Sequence, residues 1–129
     1  NRNIFPVVDE NGKLLGILLL DEVRNIMFQP RLYKRFTVKQ LMNSPQATLI
    51  NTMPMGKVME IFEDTGAWNL PVVDEHKTYL GFVSKSKIFN SYRRVLRHMS
   101  NLAPYVNVPI LHAHFQLALL VVHPMPLAM

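Results

Sequence analysis

The chain has 129 residues, of which 49% are apolar and 18% are charged, and its formal net charge at neutral pH is +5. This composition excludes a chain that is disordered by composition, because enough apolar surface is available to bury a core. The absence of cysteine excludes disulfides and thiolate chemistry. No apolar run reaches the roughly 20 residues needed to cross a bilayer. The modest positive charge suits an anionic ligand, a nucleic acid or an acidic membrane surface.

The first 36 residues predict two strands and a helix. Residues 3–8 are apolar and lead into a polar turn, where Gly12 supplies a positive φ. The nearly continuous apolar run over residues 13–19 predicts a second strand, buried on both faces. Asp21 is the predicted N-cap of a helix that ends at Phe28. A short basic connector follows.

The next segment predicts a complete strand-helix-strand-strand-helix unit, preceded by one helical turn that Thr37 can cap. Residues 47–50 predict a short strand, and apolar residues at helical spacing then predict a helix that ends at Gly66. Two strands follow, joined by a polar turn. A helix over residues 85–99, with Ser84 as its N-cap, closes the unit with one apolar stripe and one basic face.

These two segments are related by an internal repeat with a constant offset of 65 residues. Seven of the eleven positions in residues 6–16 are identical to those in residues 71–81, beginning with Pro-Val-Val-Asp-Glu and ending with Leu-Gly. An identity this dense, without a gap, fixes a two-unit architecture. The first unit shows only strand, strand and helix. We therefore expect its opening strand and helix upstream of Asn1, in a longer protein.

The repeated pattern resembles the CBS domain, which works in pairs, and the resemblance covers about residues 1–99. It implies an α+β fold of tandem CBS units whose first unit is truncated at its N-terminus. We expect residues 1–36 to form the partial first unit and connector, and residues 37–100 to form the second unit with its exit helix. Residues 101–129 form an uncharged apolar tail, either a strand or helix that docks on a neighbour or an extension foreign to the protein.

The strings over residues 65–74 and 81–89 look like the cytoplasmic CBS pair of bacterial CLC-type chloride channels and antiporters. This resemblance implies a homodimeric regulatory module joined to a transmembrane transport domain of the same chain, on the cytoplasmic side of the cell membrane. The alternative is a CBS module of a soluble enzyme or of a stand-alone sensor. No cofactor is required in either case, and AMP, ADP or ATP is the ligand that the resemblance allows.

The resemblance also implies positions for a nucleotide site between the units. A carboxylate six residues beyond the repeated glycine holds ribose hydroxyls in some members, and this position falls on Glu22 and on Lys87. Lys87 offers no acceptor and can only meet a phosphate. The hydroxyl position for phosphate falls on Leu19 in the first unit and on Ser84 in the second. The other candidate ligand-binding residues are Phe5, Pro6, Thr48, Asn69, Leu70 and Pro71.

Several residues in and around these positions also have a purely structural interpretation. Glu22 is equally explained as a first-turn carboxylate that the helix dipole favours, and Ser84 as an ordinary N-cap. Trp68 can stack on a purine or fill the groove between the units. Lys85 and Lys87 oppose the dipole at a helix start, which is explained either by solvated side chains or by a nearby anion.

Catalytic chemistry is not predicted, because the chain has no cysteine, no glycine-rich phosphate loop and no His-Glu-X-X-His motif. We therefore expect a protein that is not an enzyme. His112, His114 and His123 lack an accompanying carboxylate in the tail, so no metal site is predicted. The basic face of the last helix is predicted to be solvated, without a nucleic-acid partner.

Overall fold

The first unit is an antiparallel hairpin followed by a helix. A computed structural model describes the backbone of residues 3–102 and 127–128 and the side chains of residues 3–98. Strands β1 (Ile4–Val8) and β2 (Leu14–Leu19) pair with each other, and helix α1 (Leu20–Met27) follows directly. The prediction that Asp21 caps this helix is wrong. The N-cap is Leu19, since the helix begins at the very end of β2, and Asp21 instead forms an ion pair with Arg24 at 3.1 Å.

The second unit contains the predicted strand, helix, strand, strand and helix. One 3₁₀ turn and the short helix α2 lead into it, and Thr37 caps α2 through a capping box, as predicted. The elements from α2 onward are α2 (Val38–Leu41), β3 (Leu49–Ile50), α3 (Met55–Thr65), β4 (Asn69–Val73), β5 (Tyr79–Ser84) and α4 (Lys85–Leu102). The strand order β3-β4-β5 combines a parallel pair with an antiparallel hairpin.

The two hairpins repeat each other in atomic detail. A turn aspartate, Asp9 or Asp74, accepts the backbone N–H groups two and four residues further on, at 2.8 and 2.9 Å in both turns. The predicted positive φ is present at Gly12 (80°), and its equivalent Lys77 adopts 67°. These shared contacts explain why the repeated residues cluster in the hairpin.

The tips of the two hairpins also bind each other. The Tyr79 N–H group donates to the Gly12 carbonyl at 2.9 Å, and the Leu14 N–H group donates to the Lys77 carbonyl at 3.1 Å. The repeat converts one bond into the other, since residue 12 of the first unit corresponds to residue 77 of the second, and residue 14 corresponds to residue 79. The units are therefore related by a local pseudo-twofold axis that passes between the tips.

Each unit packs its own group of buried apolar side chains. The first unit buries Val7, Leu18 and Val23. The second unit buries a larger group around α3 and the start of α4, namely Leu49, Met55, Val58, Phe62, Ala67, Leu70, Val72, Val83 and Ile88. The helical spacing predicted for α3 is thereby confirmed, and its C-cap Gly66 adopts the left-handed conformation.

The end of the tail contributes a short strand to the first unit. Strand β6 (Leu127–Ala128) lies parallel to β1, with Leu127 opposite Val7. In the second unit Leu49 lies opposite Val72, which is the repeat equivalent of Val7. Strand β6 thus takes the place on β1 that β3 takes on β4. The rest of the predicted apolar tail, residues 103–126 with its three histidines, lies outside the described residues.

Within residues 3–102 and 127–128, no helix combines the length and apolar character needed to cross a bilayer.

Candidate functional site

A cleft of about 410 Å³ lies between the two units. Its volume falls within the range of small-molecule sites. The first unit lines it with β1, β2 and α1. The linker, defined as residues 28–48 between α1 and β3, contributes residues 43–46. The second unit lines it from the end of α3 into β4 and with Phe82 of β5. Its lining residues are Ile4, Ile17, Leu19, Glu22, Asn43, Ser44, Pro45, Gln46, Gly66, Ala67, Trp68, Asn69, Leu70, Pro71 and Phe82.

Close contact between the linker and β2 builds one wall of this cleft. Ile17 and Asn43 exchange two backbone hydrogen bonds, each 2.8 Å long. A Cβ atom at Gly16 would lie 2.9 Å from the Asn43 carbonyl oxygen and 3.0 Å from the Met42 sulfur. Glycine at position 16 is therefore required for the linker to approach the sheet and bring Asn43 next to α1.

The polar part of the cleft is formed by Glu22 and Asn43. The Asn43 side-chain amide donates to the Glu22 carboxylate, and both residues are exposed. Glu22 lies in the first turn of α1, where the helix dipole favours a negative charge. A carboxylate offers about four acceptor positions, so one bond from Asn43 leaves room for ligand hydroxyl groups.

The opposite wall carries an exposed aromatic side chain, Trp68. Its carbonyl oxygen accepts the Lys85 N–H group at 2.8 Å, which ties the wall to the first residue of α4. The equivalent bond in the first unit joins the Leu20 N–H group to the Asn3 carbonyl, also at 2.8 Å. The backbone arrangement is thus repeated, but the aromatic ring stands only on the second-unit side.

The predicted ligand-binding residues divide into two groups. The cleft brings together Glu22, Asn69, Leu70 and Pro71. Five others are not among the lining residues, and they are Phe5, Pro6, Thr48, Ser84 and Lys87. The binding role of every residue in both groups stays a prediction.

The residues outside the cleft have evident places in the fold. Phe5 packs against the first core, Pro6 is fully buried in β1, and Thr48 is exposed just before β3. Ser84 is the predicted N-cap of α4, and this role is confirmed because its Oγ accepts the Lys87 N–H group at 3.2 Å. Lys87 itself is exposed in the first turn of α4.

Sequence reasoning missed the linker residues of the cleft, above all Asn43. The run Asn43-Ser44-Pro45 reads only as the end of a short helix. Asn43 acquires its place through a bond to Ile17, 26 residues earlier in the chain. A polar cluster before a proline was the available signal, but local patterns do not reveal such a distant partner.

Among the side chains of residues 3–98, no three histidine, aspartate or glutamate residues are grouped as a metal site would require.

Comparisons with known proteins identify the family of this arrangement. The family model for the CBS domain matches residues 1–28 and 38–94. An uncharacterised protein of Methanocaldococcus jannaschii is 34% identical over 91 residues, which is 69% of this chain and 32% of that protein. The chain thus spans about a third of that relative's length.

Two solved structures have a similar fold. The CBS domain pair of protein MJ0100, in complex with 5-methylthioadenosine and S-adenosyl-L-methionine, has a TM-score of 0.52 at 26% identity, over 70% of this chain and 69% of that one. CBSX2 in complex with AMP has a TM-score of 0.57 at 19% identity, over 72% of this chain and 73% of that one. With its repeated hairpins, its α+β architecture and these matches, the chain belongs to the CBS domain family.

Proposed function

We propose that the chain is a regulatory CBS module that binds an adenosine-containing ligand in the cleft between its units. The observation that carries the proposal is the combination, within one cleft, of an exposed carboxylate from the first unit and an exposed indole from the second. Support also comes from the similar MJ0100 pair, which holds 5-methylthioadenosine and S-adenosyl-L-methionine, and from CBSX2, which holds AMP.

Regulation follows from the placement of the cleft. A ligand that touches both units favours one angle between them, and it shifts that equilibrium only by its differential affinity for the two arrangements. Helix α4 begins immediately after β5, and its first N–H group is bonded to the cleft residue Trp68. A change in the cleft wall therefore acts directly on the start of the exit helix.

The proposal extends to the protein in which the module works. We place it on the cytoplasmic side of the cell membrane, as a homodimer joined to the transport domain of a chloride channel or antiporter in the same chain. The support is the resemblance of the strings over residues 65–74 and 81–89 to CBS pairs of that class. The coding region upstream of Asn1 provides the test. A dozen or so apolar helices would support the proposal, and a catalytic domain would contradict it.

Calorimetry tests the ligand part of the proposal. AMP, ADP, ATP and S-adenosylmethionine are titrated separately into the chain, and light scattering records the oligomeric state before and after. We expect saturable heat from at least one of the four compounds and the mass of a dimer. Absence of heat from all four would contradict nucleotide sensing and leave the module with a role in dimerisation.

A further inference from the structure

Exposed apolar and basic side chains are mixed in one short stretch, residues 27–36, where helix α1 ends and the linker begins. Its exposed large apolar residues are Met27, Phe28, Tyr33 and Phe36. Its cations, which are also exposed, are Arg31, Lys34 and Arg35. Single exposed apolar side chains need no explanation, but four within ten residues, with Phe28 79% exposed, indicate an interaction surface. We call residues 27–36 the basic-aromatic segment.

Hydrogen bonds hold the basic-aromatic segment in one compact conformation. The backbone N–H groups of residues 29, 32, 33 and 35 each donate to the carbonyl three residues earlier, at 2.8 to 3.2 Å. The Tyr33 hydroxyl group donates to the Met27 carbonyl, which joins the linker side of the segment to the end of α1. The surface is therefore formed before a partner arrives, and little conformational entropy is lost on binding.

The cations of the segment are not neutralised by nearby carboxylates. The sequence has no aspartate or glutamate between Glu22 and Glu60. Among the side chains of residues 3–98, the ion pairs use cations outside the segment, namely Arg24, Lys57, His76 and Lys85. The positive charge of the segment is therefore available to an anionic partner.

The basic face of helix α4 shows what distinguishes the segment. That helix also carries exposed cations, including Arg93 and Arg94, but its aromatic residues Phe89 and Tyr92 are partly buried against the second core. In the segment, exposed rings accompany the cations. This mixture suits the surface of an anionic bilayer, because aromatic rings favour the headgroup level and anionic lipids attract lysine and arginine.

Two other occupants fit the segment less well. A second copy of the chain, placed across a twofold axis, would bring the cations of one segment against those of the other, and this repulsion costs affinity. Single-stranded nucleic acid is usually held in a charged groove that follows its backbone. None of residues 27–36 is among those that line the described cleft.

We propose that the basic-aromatic segment docks the chain on an anionic lipid bilayer. The rings of Phe28, Tyr33 and Phe36 lie at the headgroup level, and the three cations of the segment contact the anionic head groups. The inference goes beyond the proposed function, since this surface lies outside the cleft and docks whether or not a nucleotide binds. Docking of this kind weakens as salt screens the charges.

Vesicle flotation of the whole chain tests the inference. Phosphatidylcholine vesicles are compared with vesicles in which about a third of the lipid is phosphatidylglycerol, at low and at high salt. We expect the chain to float with the anionic vesicles at low salt only. The double variant Lys34→Gln, Arg35→Gln should bind them roughly 30-fold more weakly, at about fivefold for each cation. Phe28→Ala should weaken binding roughly tenfold, because an apolar ring no longer enters the interface.

The matched controls change the same chemistry elsewhere. The double variant Arg93→Gln, Arg94→Gln removes two exposed cations from α4, and Leu15→Ala shortens an exposed apolar side chain in β2. Both should bind within about twofold of the wild type, because they lie outside the segment. Circular dichroism should show all variants folded.

The inference is overturned if the chain does not float with anionic vesicles, if it floats equally with neutral ones, or if the two double variants lose binding equally. A gel shift with oligonucleotides and light scattering are run on the same variants. In a chain that does not float, a gel shift lost with Lys34→Gln, Arg35→Gln would assign the segment to nucleic acid. A dimer that dissociates with Phe28→Ala would assign it to a second copy.

Discussion

The two units share a hairpin and differ at the start of the helix that follows it. Asp9 and Asp74 accept the same backbone N–H groups at the same distances. Three to six residues beyond the repeated glycine the likeness has gone, because Leu19, Leu20 and Glu22 of the first unit correspond to Ser84, Lys85 and Lys87 of the second. The comparison teaches that the repeat preserves the residues that build the scaffold, whereas the residues available for ligand chemistry have diverged.

The largest expected effect comes from breaking the contact of the first unit with the linker. Gly16→Ala places a Cβ atom against the Asn43 carbonyl, and we expect it to lower the free energy of unfolding by about 1–3 kcal/mol, as for other overpacked sites. Urea denaturation followed by far-UV circular dichroism measures the change.

Gly56→Ala is the matched control for this substitution. A Cβ atom there would meet no atom within 4 Å, and the residue lies in helix α3. The control should raise the free energy of unfolding by up to about 0.5 kcal/mol, because alanine favours a helix over glycine and Gly56 lies in the first turn of α3. If Gly56→Ala lowered the free energy of unfolding as Gly16→Ala is expected to do, the steric explanation for Gly16 would be contradicted.

Removing the hydroxyl of Ser84 tests a feature that only the second unit has. Ser84→Ala deletes the acceptor of the Lys87 N–H group and should lower the free energy of unfolding by about 1 kcal/mol. Ser84→Thr should recover most of the loss. Ser86→Ala, at an exposed position in the same helical turn, should change stability by less than about 0.5 kcal/mol.

A smaller effect is expected when the second turn is given the residue of the first. Lys77 has a φ of 67°, where its equivalent Gly12 has 80°. A left-handed conformation costs an L-residue roughly 1–2 kcal/mol, and the greater chain entropy of glycine cancels part of that gain. Lys77→Gly should therefore raise the free energy of unfolding by about 0.5–1 kcal/mol in urea denaturation. A loss of stability would show that the lysine side chain makes contacts worth more than the strain.

The weakest expected effect is a pH dependence at Asp74. The backbone hydrogen bond from Thr78 lowers the pKa of this carboxyl, with a further contribution from the His76 N–H group, while desolvation opposes them. Because the folded pKa lies below the unfolded value, the ionised form stabilises the fold. That stability is fully present above the ordinary carboxyl range near pH ~4 and is lost as the pH falls through the lowered pKa.

Urea denaturation at a series of pH values checks this sign. The stability difference between the wild type and Asp74→Ala should shrink as the pH falls from about 7 to about 2. A difference that stayed constant across that range would mean that the contact does not depend on ionisation.

The sequence predicts most of the fold because the elements depend on local patterns. Helix α3, its C-cap Gly66 and the N-caps Thr37 and Ser84 all follow from spacing and capping chemistry. The exception is Asp21, since the N-cap position of α1 falls on Leu19, the last residue of β2, and Asp21 lies inside the first turn of the helix.

The candidate site is less predictable because its contacts join distant parts of the chain. The resemblance to the CBS domain implies Glu22 as an acceptor, but its neighbour Asn43 is reached only through the pairing of the linker with β2. Likewise, the sequence places Trp68 either in the groove or open to a ligand, and only the packing around Lys85 distinguishes the two. The place of β6 beside β1 has no local signal either.

The most direct test of the account is AMP calorimetry on two repeat-equivalent variants, Glu22→Gln and Lys87→Gln. If the first unit supplies the acceptor, Glu22→Gln should weaken AMP binding by roughly tenfold or more, as expected for losing hydrogen bonds to a charged group. Lys87→Gln should leave the affinity within about twofold, as for a surface substitution outside the cleft. A larger loss from Lys87→Gln than from Glu22→Gln would contradict the assignment of the acceptor to the first unit.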